Sequence, residues 1–213
     1  MSTPEYVWYA AYGSNLSAQR FGYYISGGSP DGASRVYPGC RDHEPPSGDR
    51  PAVLAHEMYF GGRSQNWGGA VAFIDPNHDA EQRTLARLYR ISWQQLEDVI
   101  AQENGEPRGS VRLNRDIFEL GRVEIDAGWY RVVLLVTHEW GEPMLVNDEH
   151  AITVTAPAGR LDYGVPTDAY LRHLVTGLRE SHGLSDDRIL DYLFYRPGIK
   201  GHSTMEDLAV VLR

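Results

Sequence analysis

The chain has 213 residues, 42% of them hydrophobic, a formal net charge of -9 and a pI near 5.3. That length supplies one domain with a full core and requires no second. The acidic balance argues against nucleic acid or an anionic membrane as the main partner, since both call for a cationic surface, and it favours small substrates. The lone cysteine, Cys40, cannot form an internal disulfide, the N-terminus lacks the features of a signal peptide, and no apolar run is long enough to span a bilayer. A soluble cytoplasmic protein is expected.

Val7 to Tyr12 is a run of aromatic, β-branched and small apolar residues that reads as a buried strand, and Gly13-Ser14-Asn15 breaks it sharply. Consecutive N–H groups in such a turn can converge into an anion-binding nest; an ordinary strand-to-loop turn is the plainer reading. Ser17 to Phe21 suits one or two helical turns. Gly27 to Pro51, crowded with Gly, Pro, Asp and Ser, reads as a long ordered loop or an insertion, and Cys40 within it as an inert small residue.

Ala52 to Phe60 and Gly68 to Ile74 look like strands of a hairpin joined by the turn formers of Gly61 to Trp67. Gly68-Gly69 leaves room for a ligand or another backbone beside the Trp67 indole; a tryptophan that closes the end of the β-layer is the equal alternative. Thr84 to Ile91 alternates as a further strand.

Ser92 and Gln95 form a capping box that opens a helix. Trp93, Leu96, Val99 and Ile100 make its apolar stripe, with Gln94, Gln95, Asp98 and Gln102 opposite. Glu103 follows Val99 by one helical turn and therefore lies on the stripe, a carboxylate aimed at the core. Desolvating an isolated carboxylate is costly, so two readings stand. Either Glu103 escapes to solvent or pairs with an arginine at the helix end, or its pKa is raised toward neutrality, as suits a general base.

Gly105 to Gly128 is polar and irregular and reads as a surface excursion with a solvated charged face. Trp129 to Thr137 is the most β-rich run, followed by a Gly141-Glu142-Pro143 turn and two short strand candidates up to Thr155. After Pro166 the period changes. Thr167 or Asp168 caps a helix with Tyr170, Leu171, Leu174, Val175 and Leu178 inward; a second starts at Ser185, and Ser203 with Glu206 is a capping box for a last short one. The eight histidines are scattered without metal-ligand spacing, and no dinucleotide or phosphate-loop glycine pattern is present. Ser14 lacks the G-x-S-x-G elbow of a nucleophile.

Tyr12-Gly13-Ser14-Asn15-Leu16 with Arg20 downstream, then Ser64-Gln65-Asn66-Trp67-Gly68-Gly69-Ala70, then a strand, a capped helix and Glu103-Asn104-Gly105, resembles the γ-glutamylcyclotransferase family in order and spacing. The similarity covers about Tyr9 to Leu193 and is weakest in two insertions, near 27–51 and 105–128. It implies a single α+β domain over 1–213, a small distorted mixed β-barrel with peripheral helices, with no cofactor and no metal. The implied reaction turns a γ-glutamyl amide or dipeptide into 5-oxoproline and a released amine. Glu103 would act as general acid/base, taking a proton from the substrate ammonium and returning one to the leaving amine. Tyr12, Gly13, Ser14, Asn15, Leu16 and Trp67 would bind substrate, the amides of Gly13 to Leu16 holding a carboxylate or oxyanion; Tyr130 and Tyr170 resemble the family's substrate-site tyrosines. The insertions would overhang the barrel mouth and set which amine leaves. The competing expectations are a binding module that holds a small anionic or amino-acid-like ligand without converting it, and a hydrolase or acyl transferase using Ser14.

Overall fold

In the computed structural model, which describes residues 5–30, 34–159 and 161–213, the chain runs β1 (Tyr6–Ala11), α1 (Ala18–Ser26), β2 (Asp49–Leu54), β3 (Met58–Gly61), β4 (Val71–Ile74), β5 (Thr84–Ser92), α2 (Trp93–Glu103), α3 (Ile117–Leu120), β6 (Arg122–Glu124), β7 (Val132–Leu135), β8 (Leu145–Val146), β9 (Glu149–Thr155), α4 (Asp168–His182), α5 (Asp186–Phe194) and α6 (Met205–Ala209). Residues 1–4, where the reading of the N-terminus begins, and 31–33, inside the first expected insertion, lie outside the described residues. No helix among those described is long and apolar enough to cross a membrane.

β1 lies at the middle of this mixed α+β architecture because both of its faces are apolar. Val7, Tyr9 and Ala11 enter one core with α1 and α2; Trp8 and Ala10, with Tyr12 just beyond, enter the other with the β3–β4 hairpin, α4 and α5. It pairs antiparallel with β5 and parallel with β9, within the order β2-β5-β1-β9-β7-β6, and β8 adds to β9. The expected barrel is not closed. No ladder among the described residues joins edge strands β2 and β6, and β3 with β4 forms a separate two-stranded sheet.

The expected strand Ala52 to Phe60 is in fact two. Its centre leaves the sheet at buried His56, whose ring Nδ1 meets the Asp75 carbonyl at 2.9 Å and whose own carbonyl accepts from Thr84 Oγ1 at 2.6 Å. β2 therefore stays with β5 while β3 turns into the other layer. Trp129 to Thr137 contracts to β7 for a comparable reason: Asn104 takes both the N–H (3.0 Å) and the C=O (2.9 Å) of Tyr130, the groups a ladder would have used. α1 runs to nine residues, longer than the one or two turns expected. The cap of α6 is displaced by one residue from the expected box: Thr204 and Asp207 exchange the bonds, with Thr204 Oγ1 accepting from the Asp207 amide at 3.1 Å.

α2 is amphipathic in sequence but enclosed in the fold. Its capping box forms as expected, yet Gln95, Glu97, Asp98 and Gln102 are all buried. The two insertions cover them. Asp98 accepts from the Arg41 amide (2.8 Å) and the Gly109 amide (2.7 Å) and pairs with Arg41 Nε (3.0 Å), while Glu97 accepts from the Leu113 amide (3.0 Å). The segment 105–128 keeps its charged residues exposed, Arg115 excepted, as expected of a surface excursion, but it is also anchored: Val111, Leu113 and Ile117 are buried, and Arg112 pairs with Glu97. Asp98→Asn is expected to lower stability by about 2 kcal/mol, the usual worth of hydrogen bonds to a charged group, with an unchanged denaturant m-value.

Candidate functional site

The exit of β1 is a single 3₁₀ turn, Ser14–Leu16, followed by α1, which Ser17 caps by accepting from the Arg20 amide. Leu16 does not serve the site. Its amide donates to the Gly13 carbonyl at 2.9 Å, and its side chain is fully buried in the core below. Gly13 is required for space and not for handedness: its φ is -104°, but a Cβ would stand 2.8 Å from the Tyr170 hydroxyl oxygen and 3.3 Å from Ala72 Cβ. That hydroxyl accepts from the Ala72 amide (3.0 Å) and from the backbone of Ser14, so the turn is fastened to α4 and β4 at once.

Glu103 ends α2 facing this turn. Asn15 Nδ2 donates to Glu103 Oε1 at 2.8 Å, and the Tyr24 hydroxyl is hydrogen-bonded to the same carboxylate. Both alternatives for this glutamate contain part of the answer: it is half-buried, and it opens neither to bulk water nor into the apolar core but into a cavity. Burial pushes its pKa above the ordinary carboxylate value; the Arg20 charge, then the bonds from Tyr24 and Asn15, then the Arg35 charge, pull it back.

Arg20 is a functional candidate that composition and spacing singled out only as part of a motif. It is 2% exposed, with Nη2 donating to Tyr37 (2.8 Å) and Tyr24 (3.3 Å) hydroxyls. Its guanidinium lies over the rings of Tyr24, Tyr37 and Trp67 at 4.6, 4.5 and 5.7 Å, while Nε and Nη1 have no hydrogen-bond partner. The cation is therefore stored among aromatic faces and polarises the space in front of Glu103. The surrounding phenols stay neutral: burial pushes Tyr170 up to about 12 and holds Tyr9, Tyr12, Tyr24 and Tyr130 well above the ordinary phenol value.

The cavity has a volume of about 540 Å³, within the range of small-molecule sites. Of the residues singled out in sequence, Tyr12, Gly13, Ser14, Asn15, Trp67, Glu103, Tyr130 and Tyr170 all line it; Leu16 does not. Two of the tyrosine hydroxyls are already committed, Tyr12 to the Val154 carbonyl (2.7 Å) and Tyr130 to the Ala72 carbonyl (3.2 Å), so these side chains offer the cavity ring faces. Trp67 lines the cavity, edge-on to Tyr170 at 5.5 Å. The space at Gly69 is filled by backbone: a Cβ there would lie 2.9 Å from the Val165 carbonyl. Arg35 and Tyr37, from the first insertion, also line the cavity, as do Gly105 and Gly128 at the ends of the second. No histidine among the described residues does, so Ser14 has no imidazole beside it there. Among the described residues no three of His, Cys, Asp and Glu stand where they could hold a metal ion.

No protein-family model matches the sequence. Over 204 residues it is 32% identical to histone deacetylase 5 of Arabidopsis thaliana, an alignment that takes in 88% of this chain and 30% of that protein. The chain thus spans less than a third of the length of the curated relative it matches. In structure it is similar to a γ-glutamyl cyclotransferase, with a TM-score of 0.52 and 15% identity over 97% of this chain and 98% of the other. It is equally similar to an uncharacterised human protein, with a TM-score of 0.52 and 15% identity over 99% and 100% of the two chains. The likeness at that identity is one of fold.

Proposed function

We propose that this chain, which carries a γ-glutamyl cyclotransferase-like fold, converts a γ-glutamyl amide into 5-oxoproline and a free amine, with Glu103 as general acid and base. The observation that carries this reading is the 2.8 Å bond from Asn15 to Glu103, which ties a carboxylate of raised pKa to the turn at the exit of β1, in one cavity.

The reaction needs no enzyme nucleophile. In its free-amine form the substrate's α-nitrogen bonds to its own γ-carbonyl carbon while Glu103 takes one N–H proton; the bond to the departing amine then breaks, and the same proton passes to the departing nitrogen. The amides of Gly13 and Asn15, which the turn itself does not use, would hold the oxygen that becomes negative in between. Tyr12, Trp67, Tyr130 and Tyr170 would fold the substrate chain so that nitrogen and carbonyl meet, a gain in orientation worth several kcal/mol, on the order of 7 or more in favourable cases. Arg20 would keep enough Glu103 ionised to start the cycle despite burial.

The test is release of 5-oxoproline from γ-glutamyl amides by the purified protein, followed by chromatography. Its pH dependence is a second, sharper expectation. The base must be ionised in the free protein, so kcat/KM should fall on acidification with an apparent pKa above 4.5, the ordinary value for a glutamate. An acid limb at or below that value would separate the activity from the buried carboxylate.

A further inference from the structure

β5 reaches the turn at the exit of β1 from outside the cavity. Arg87 and Tyr89 share one face of that strand and stand opposite Ala11 and Tyr9, where β1 gives way to Ser14–Leu16. Neither lines the cavity. The Tyr89 hydroxyl donates to the Asn15 carbonyl at 3.0 Å and to the Leu16 carbonyl at 3.3 Å, and Arg87 Nη1 donates to the Leu16 carbonyl at 3.3 Å. Buried carbonyls need donors, and for this turn β5 supplies them. Both donors are themselves held in place. Tyr89 is buried and stacks on Phe21 with ring centres 4.2 Å apart, while Arg87 Nη1 also donates at 2.9 Å to Glu180 Oε2, which accepts from the Ala18 amide at 3.0 Å.

Asn15 has need of such a hold. Its Nδ2 reaches Glu103 Oε1 at 2.8 Å and the Tyr9 hydroxyl at 3.3 Å, but its Oδ1 is buried with no hydrogen-bond partner among the described residues. The side-chain amide is therefore gripped at one end only, and its direction depends on the backbone that carries it. We infer that Tyr89 is a positioning residue for Glu103: by holding the Asn15 carbonyl it fixes the backbone from which the Asn15 side chain meets the carboxylate, and Arg87 steadies the next residue. The consequence for turnover rests on the cyclotransferase reading above; the hold on the carboxylate stands without it.

The experiment uses Tyr89→Phe, which removes the hydroxyl and keeps the ring on Phe21. The first readout is the titration of the Glu103 carboxyl group by NMR on protein with isotope-labelled glutamate, the signal being assigned by its loss in Glu103→Gln. The bond from Asn15 lowers the Glu103 pKa, so loosening it should move the titration midpoint to higher pH. The substitution leaves in place the other groups that face the carboxylate: Arg20 and Tyr24 of α1, Arg35 of the first insertion, Tyr9 and Tyr12 on and just past β1, and Tyr130 and Tyr170 across the cavity. The second readout is 5-oxoproline release: kcat should fall about tenfold, less than the hundredfold that misplacement by about 1 Å can cost, with KM changed by less than about twofold. In the Asn15→Ala protein, where no side-chain amide is left to position, adding Tyr89→Phe should leave the midpoint where it was and lower kcat by less than about twofold. A parental midpoint in Tyr89→Phe, an equal shift with and without the Asn15 side chain, or a parental kcat beside a raised midpoint would overturn the inference, whatever the melting temperature does. A raised midpoint in a protein whose parent releases no 5-oxoproline retains the hold on Glu103 and removes the cyclotransferase reading. Release by the parent with the midpoint unmoved in Tyr89→Phe does the reverse.

Discussion

Glu103→Gln is expected to lower 5-oxoproline release by about a thousandfold, the middle of the usual range for loss of a general acid–base group, while the protein stays folded. Glutamine preserves the volume and the Oε1 acceptor for Asn15 Nδ2, now at 2.8 Å, but cannot carry the proton between the two nitrogens. Linkage gives the substitution a second signature. Because burial raises the Glu103 pKa, the folded state holds its proton to higher pH than the unfolded state does. The associated stability is fully present below the unfolded value and is lost as pH rises through the folded one. At neutral pH the parent therefore bears the cost of a buried negative charge, and the glutamine variant does not. The variant should melt at or above the parent at pH 7, and its advantage should shrink as both are taken below the ordinary glutamate range. A variant that turns over normally removes Glu103 as the base; one that melts far below the parent leaves the carboxylate a structural role.

How much of this was legible in the chain follows from the range of the forces involved. β1, the capping box of α2 and the helix capped by Thr167 all rest on contacts between near neighbours in sequence, and each is where local pattern put it; the β3–β4 hairpin keeps only the second part of its expected first strand. Local pattern failed where distant side chains intervened. Asn104 claims the backbone of Tyr130 across 26 residues, and the polar side of α2 meets partners from 11 to 78 residues away, so neither the shortened β7 nor buried Asp98 could be read from periodicity. In the site, residue types and spacing sufficed to pick out Glu103 and the β1 turn. They could not reveal that the Leu16 amide is consumed by its own turn, or that Arg20 would be sheathed by Tyr24, Tyr37 and Trp67. A signal for Arg20 was present in retrospect: an arginine one helical turn before an aromatic, in a helix whose other inward residues are Phe21, Tyr24 and Ile25, has only one way to lie.

Gly177→Ala should be the most damaging of the small substitutions outside the cavity. A glycine in mid-helix costs about 1 kcal/mol relative to alanine, so its presence in α4 calls for a compensating contact. The contact is with the β1 turn: a Cβ on Gly177 would fall 2.3 Å from Leu16 C, 2.3 Å from Leu16 Cβ and 2.5 Å from the Ser17 nitrogen. These are backbone or first side-chain atoms that cannot rotate aside, so the helix and the turn must separate by roughly 1 Å to restore normal contact distances. Overpacking of this kind should outweigh the helical preference of alanine and leave a net loss of roughly 2–3 kcal/mol, a fall in melting temperature of roughly 5–10 °C for a domain of this size. Activity should fall further than stability, because the displaced turn carries Asn15, whose bond orients Glu103, and misplacement of about 1 Å can cost on the order of a hundredfold. Gly22→Ala supplies the control. It makes the same chemical change inside α1, where nothing lies within 4 Å of the new methyl, and should stabilise the protein by up to about 1 kcal/mol. Opposite signs from one substitution at two helical glycines would locate the effect in the α4 contact; a Gly177→Ala protein with parental melting and turnover would detach the site's geometry from that helix.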